Sequence, residues 1–190
     1  SSTSSVTYNA PLPADPPGGG SSLGKQSSPN DTDVFDPQNV DMNDPKELQQ
    51  LALYHKYSAD YDEAIHVLED IMTKFPETEY VTVAMNEVFD ISKESNKIDI
   101  ESYCDNKLSS SKSSGKEKQA SNEIKIVKYL RDGKTVEAEK LCKDVIKEFP
   151  NTSSEKKAIF HLFLLCGDDE KRSEEASEYL NMLQEKYPDE

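Results

Sequence analysis

Residues 60–76 read DYDEAIHVLEDIMTKFP. Ala64, Val67, Leu68, Ile71, Met72 and Phe75 fall at i, i+3, i+4, i+7, i+8 and i+11, which is one face of an α-helix. Asp60 with Glu63 three residues on is a capping signal ahead of that stripe, and Pro76 stops it, because proline has no N–H to give and clashes with the preceding turn. One short segment therefore predicts an amphipathic helix with a defined start and end.

The same sentence is written twice more, as KTVEAEKLCKDVIKEFP over residues 134–150 and RSEEASEYLNMLQEKYP over residues 172–188. In each copy an Ala stands twelve residues before a Pro that follows an aromatic: Ala64, Phe75, Pro76; Ala138, Phe149, Pro150; Ala176, Tyr187, Pro188. Apolar stripes follow each Ala, through Leu141, Cys142, Val145 and Ile146 in one case and Tyr179, Leu180 and Leu183 in the other. The first two Ala residues are 74 apart and the next two 38 apart. Since 74 is twice 37, an eroded copy is expected between them, with Glu101 at the Ala position, Ser113 at the Pro position and helix over residues 98–108.

Each unit reads as two helices. Asp44-Pro45-Lys46-Glu47 opens a first helix that continues through Leu48, Leu51, Ala52 and His55 at helical spacing. Gly133 and Gly167 stand where the first helices of the last two units should end. The small Ala lets paired helices approach closely, the aromatic closes the far end, and the Pro prevents continuation. Units of about 44–80, 81–117, 118–152 and 153–190 result.

This pattern resembles the tetratricopeptide repeat family. Ala64, Ala138 and Ala176 match its small twentieth residue, Pro76, Pro150 and Pro188 its thirty-second, and Ala52 its eighth. The Trp and Gly-Tyr of the family's first helix are missing, the second unit keeps almost no signature, and the last is one residue longer. The resemblance covers residues 44–190 and implies an all-α, right-handed solenoid of about four helix-turn-helix repeats. It also implies a concave face lined by first helices, on which family registration places Gln49, Lys56, Asn86, Asp90, Glu123 and His161. Aromatic-Pro endings of this kind are similar to repeats of secreted and envelope proteins of bacteria, which implies an extracellular or envelope setting and leaves the cytoplasm open.

Residues 1–43 differ in composition: Pro16-Pro17-Gly18-Gly19-Gly20 and frequent Ser leave too little apolar surface to offset backbone entropy, so an extended, irregular leader or linker is expected. Val6, Tyr8, Leu12, Val34 and Phe35 are its candidates for docking on a neighbouring surface. The chain starts at Ser1 with no basic and apolar secretion signal, which reads as a processed product or a fragment.

Composition excludes several functions. Among 190 residues, 22 Lys and Arg face 37 Asp and Glu, a net charge of −15, and nucleic acid binding needs clustered cations. The longest apolar run, Ala158 to Cys166, is broken by His161 and far too short for membrane insertion. No phosphate-binding loop, nucleophile elbow, His-Glu-x-x-His or Cys-x-x-Cys occurs, so neither catalysis nor a cofactor or metal is expected. His55, His66 and His161 read as packing or surface residues. Cys104, Cys142 and Cys166 are too few for a disulfide framework, though Cys142 and Cys166 are expected as neighbours, either as two thiols or as one bond. Asn30 and Asn151 open glycosylation-type sequons in expected loops.

The reading is a non-enzymatic scaffold for protein partners. The alternative is a subunit of a self-assembling extracellular filament, a homopolymer whose copies stack end to end with the leader docked on the neighbour. Both attach weight to the last apolar stripe, which no later helix in the sequence covers.

Overall fold

A computed structural model describes residues 34–189 of the chain, so the readings made for residues 1–33, Asn30 among them, lie outside the described residues. Eight α-helices follow one another in four pairs: α1 (Pro45–Tyr57) with α2 (Tyr61–Lys74), α3 (Glu79–Glu94) with α4 (Ile100–Ser109), α5 (Gly115–Arg131) with α6 (Thr135–Glu148), and α7 (Ser153–Gly167) with α8 (Ser173–Lys186). A 3-10 turn, Glu170–Arg172, precedes α8, and there is no strand among the described residues. Most helices pack on the next in sequence, and the first helices of successive pairs also touch, α1 on α3, α3 on α5 and α5 on α7. This is the contact pattern of a helical repeat.

Five of the eight α-helices start where a side chain satisfies an otherwise unpaired N–H group, and α3, α6 and α8 do not. Pro45 occupies the first position of α1 and the Asp44 carboxylate accepts from Lys46 N–H at 2.9 Å. Glu47 does not close a box on Asp44; it accepts from Asp41 N–H at 2.6 Å and ties the preceding segment to the helix. The full capping box lies at α5, where Ser114 and Glu117 satisfy each other's N–H groups. Thr152 and Glu155 cap α7 in a related way, with Glu155 Oε2 accepting from Asn151 N–H at 2.8 Å. Asn151 itself is exposed in the turn before α7.

The three written copies behave as their stripes require. Ala64, Val67, Leu68, Ile71 and Met72 are buried, as are Ala138, Cys142 and Val145. In α8 only Ala176 is. Buried side chains form two clusters that meet at α5: Ala120 and Ile124 join the core of the first two pairs, while Ile126 joins Cys142, Val145, Ala158 and Leu162. Tyr187 closes the last pair, its hydroxyl 2.7 Å from Glu155 Oε2.

Helix α3 starts at Glu79 and α5 at Gly115, close to the expected unit boundaries near 80 and 117. One expectation needs correction. In the eroded second pair, Glu101 does not take the small-residue place. α4 starts from the Asp99 cap, which buries Ile100 and Cys104, while Glu101 stays half-buried and accepts from the Tyr129 hydroxyl at 3.2 Å. Within the expected leader, Phe35 packs against Tyr54 of α1 at 6.3 Å between ring centroids, and Val40 joins the same core. Gly167 is the last residue of α7, where that helix was expected to end, and it ends it without a left-handed backbone.

Gly133 does need its freedom. At φ 71° it closes α5, with Lys134 N–H reaching the Tyr129 carbonyl at 2.8 Å. The α1–α2 turn repeats this geometry, Asp60 N–H reaching the His55 carbonyl at 2.9 Å, but it places Ala59 in the left-handed region at φ 58°. A Cβ in that region is crowded by the neighbouring backbone. Ala59→Gly should therefore raise stability by roughly 0.5 kcal/mol, the relief of strain exceeding the added unfolded-state entropy. Urea unfolding of both proteins checks this, and an unchanged or lower midpoint for the variant would contradict it.

Candidate functional site

Because the first helices of successive pairs pack side by side, they bring distant residues together. Asn86 and Phe89 of α3, Glu123, Ile124, Ile126 and Val127 of α5, and Ser154, Lys157, Ala158 and His161 of α7 line one open groove of about 270 Å³. Its floor is apolar. Its polar groups are held by one another: Ser154 Oγ lies 2.9 Å from Glu123 Oε1, and Lys157 Nζ lies 3.4 Å from Glu123 Oε2. Glu123 thus receives a hydroxyl and an ammonium from α7, and the groove's wall is fixed across two pairs.

Burial pushes the His161 imidazole below its ordinary range; Glu123 supports the cation but does not offset the burial, and Lys157 adds to the depression. At neutral pH the groove thus offers a neutral imidazole, an ammonium, a carboxylate and the amide of Asn86. That set can exchange hydrogen bonds with peptide N–H and C=O groups alike.

Of the six residues registered on the concave face, Asn86, Glu123 and His161 share this groove. Gln49 lies in a separate groove of about 250 Å³ between α1, α2 and α3. Lys56 and Asp90 meet each other, but for an internal reason: the Lys56 ammonium is 3.0 Å from Glu87, 3.9 Å from Asp90 and 3.9 Å from Glu94, fastening α1 to α3. Burial disfavours its charge, yet the three carboxylates raise its pKa overall. Lys56 is therefore a strut between pairs. Lys157, Ser154 and Phe89 were not picked out by sequence. They line the groove because α3 and α7 both pack against α5.

Elsewhere, His55 Nδ1 lies 3.7 Å from Asp60 and His66 Nε2 lies 3.9 Å from Asp70, both ordinary local pairs. No group of three or more His, Cys, Asp or Glu among the described residues could hold a metal ion. Cys104, Cys142 and Cys166 are free and buried, and burial raises the thiol pKa of Cys104 and of Cys142 to about 12. Such thiols are poor nucleophiles. No helix among the described residues is long and apolar enough to cross a membrane.

Compared with known proteins, the chain matches no family model, no curated protein and no solved structure. The functional reading rests on the geometry above.

His161 offers a direct check of the groove. Followed by NMR, its imidazole should titrate below the ordinary histidine value of 6.5, and Glu123→Gln should move the titration further down by removing the one carboxylate that supports the cation. A titration at or above the ordinary value would mean that His161 points away from the groove.

Proposed function

We propose that the chain is a non-enzymatic protein-interaction scaffold whose first-helix face binds an extended segment of a partner protein. In this reading the four pairs stack as a right-handed solenoid of tetratricopeptide type, and α1, α3, α5 and α7 line its concave side. The observation that carries the proposal is the groove of Asn86, Glu123, Ser154, Lys157 and His161 over Phe89 and Ile126. Its size suits one or two side chains of a peptide, and its mixed donors and acceptors suit the backbone between them.

Chemistry on a bound substrate finds little support in the same residues. A nucleophile must be reachable by its substrate, and Ser154, whose hydroxyl donates to Glu123, is only 1 % exposed. The aromatic-Pro endings, Phe75-Pro76, Phe149-Pro150 and Tyr187-Pro188, favour an exported bacterial setting by resemblance. The filament reading is weaker, because stacking end to end needs a bare first face, and Phe35 and Val40 of the chain itself pack against the core of the first pair.

Peptides selected from a random display library on the immobilised 190-residue chain test the proposal. Selected peptides should lose at least ~10-fold in affinity, about 1.4 kcal/mol, on Asn86→Ala or Lys157→Glu, and should bind Lys140→Glu on the exposed side of α6 unchanged. Selection of no peptide, or peptides indifferent to the groove variants, would count against it.

A further inference from the structure

Helix α3 has a groove on each flank. Toward α5 and α7 lies the groove described above, to which α3 gives Asn86 and Phe89. Toward α1 and α2 lies the groove of about 250 Å³ that holds Gln49, to which α3 gives Val83, Ala84 and Glu87. Asn86 and Glu87 are consecutive residues, so the two grooves open at nearly the same height on opposite sides of one helix. The second groove is floored by Leu68, 1 % exposed, and Ala84, with Val83 42 % exposed beside them. At about 250 and 270 Å³ both are smaller than the ~300–1,000 Å³ of a small-molecule site, and each suits one apolar side chain.

The polar groups on either side of α3 are a second observation. Gln49 and Gln50 of α1 line one groove and Asn86 the other, and none of the three carboxamides makes a hydrogen bond among the described residues. Each offers N–H donors and an accepting oxygen, the complement of a peptide C=O and N–H. The carboxylates beside them are already engaged, Glu87 by Lys56 and Glu123 by Lys157. The groups left to meet a partner are therefore neutral amides suited to a backbone.

An extended chain fits this layout at one spacing. It advances about 3.3 Å per residue and turns successive side chains to opposite sides, so two side chains that both point into the grooves must stand an even number of residues apart. A helix with its side chains is about 10–12 Å across. Two residues advance about 7 Å and fall short of crossing α3, six advance about 20 Å and overshoot, and four advance about 13 Å. Resting on the peptide reading of the first-helix face, we propose that the partner segment straddles α3 in extended form with apolar residues at positions i and i+4. One sits over Leu68 and Ala84, the other over Phe89 and Ile126, and the backbone between and around them bonds to Gln49, Gln50 and Asn86.

Peptides of about 12 residues selected from a random phage-displayed library on the full chain are the probe. Relative to the unselected library they should be enriched in two apolar residues four apart. Deleting or inserting one residue between that pair should weaken binding at least ~10-fold in fluorescence anisotropy, since one anchor then points away from the helices. On the α1 side of α3, Val83→Gln should weaken binding at least ~10-fold and Gln49→Ala at least ~3-fold, with the far-UV circular dichroism of the chain unchanged. Peptides that respond to Asn86→Ala but not to Val83→Gln, that show no fixed spacing, or that gain helical circular dichroism on binding overturn the inference and leave the peptide reading standing. Selection of no peptide removes both.

Discussion

No helix pair in this chain can cover its own apolar face. The stripe from Ala64 to Met72 disappears from solvent only because α1 and α3 lie over it, and the stripe of α6 only because α5 and α7 do. The core is consequently made at junctions, and α5, which gives Ile124 to one cluster and Ile126 to the other, joins the two halves. Burying an apolar side chain of this size contributes about 1.5–3 kcal/mol, so these contacts outweigh the many exposed ion pairs, which contribute about 0–1 kcal/mol each. The better-held pairs add direction. Arg172 grips Glu139 with two N–H groups and Glu175 from the other side, and this holds the Glu139 carboxyl down to about 2, fixing α8 against α6.

The same constraint creates the grooves of interest. Successive first helices must touch to bury their stripes, and that contact assembles Asn86, Glu123 and His161 from three helices into one groove. An array held together by neighbours also needs cover on its outer pairs. At its start the chain supplies Phe35 and Val40 as cover. On the last described pair, Phe160, Leu164 and Leu180 stay exposed.

Much of the fold was legible because repetition multiplies a weak signal. One stripe at helical spacing is ambiguous, but three in a common register, each closed by an aromatic and a Pro, predicted α2, α6 and α8 nearly to the residue. Where the motif had decayed, the reading failed in a specific way. α3 runs to Glu94 and delays α4, so Cys104 and not Glu101 is the buried small residue, a shift that counting by 37 could not reveal. Phe35 was singled out as a docking residue, but a single aromatic in a leader of this composition does not say what it packs on. Of the six registered residues, Asn86, Glu123 and His161 line one groove, whereas the place of Lys56 depends on the three carboxylates α3 turns toward it, which only side-chain geometry discloses.

Native-state hydrogen exchange tests the junction-built core most directly. If each pair depends on its neighbours, amides of α3, α5 and α6 should be the slowest to exchange and those of α8, covered on one side only, the fastest among the second helices other than the short α4. Protection of α8 equal to that of α6 in the monomeric chain would contradict the account.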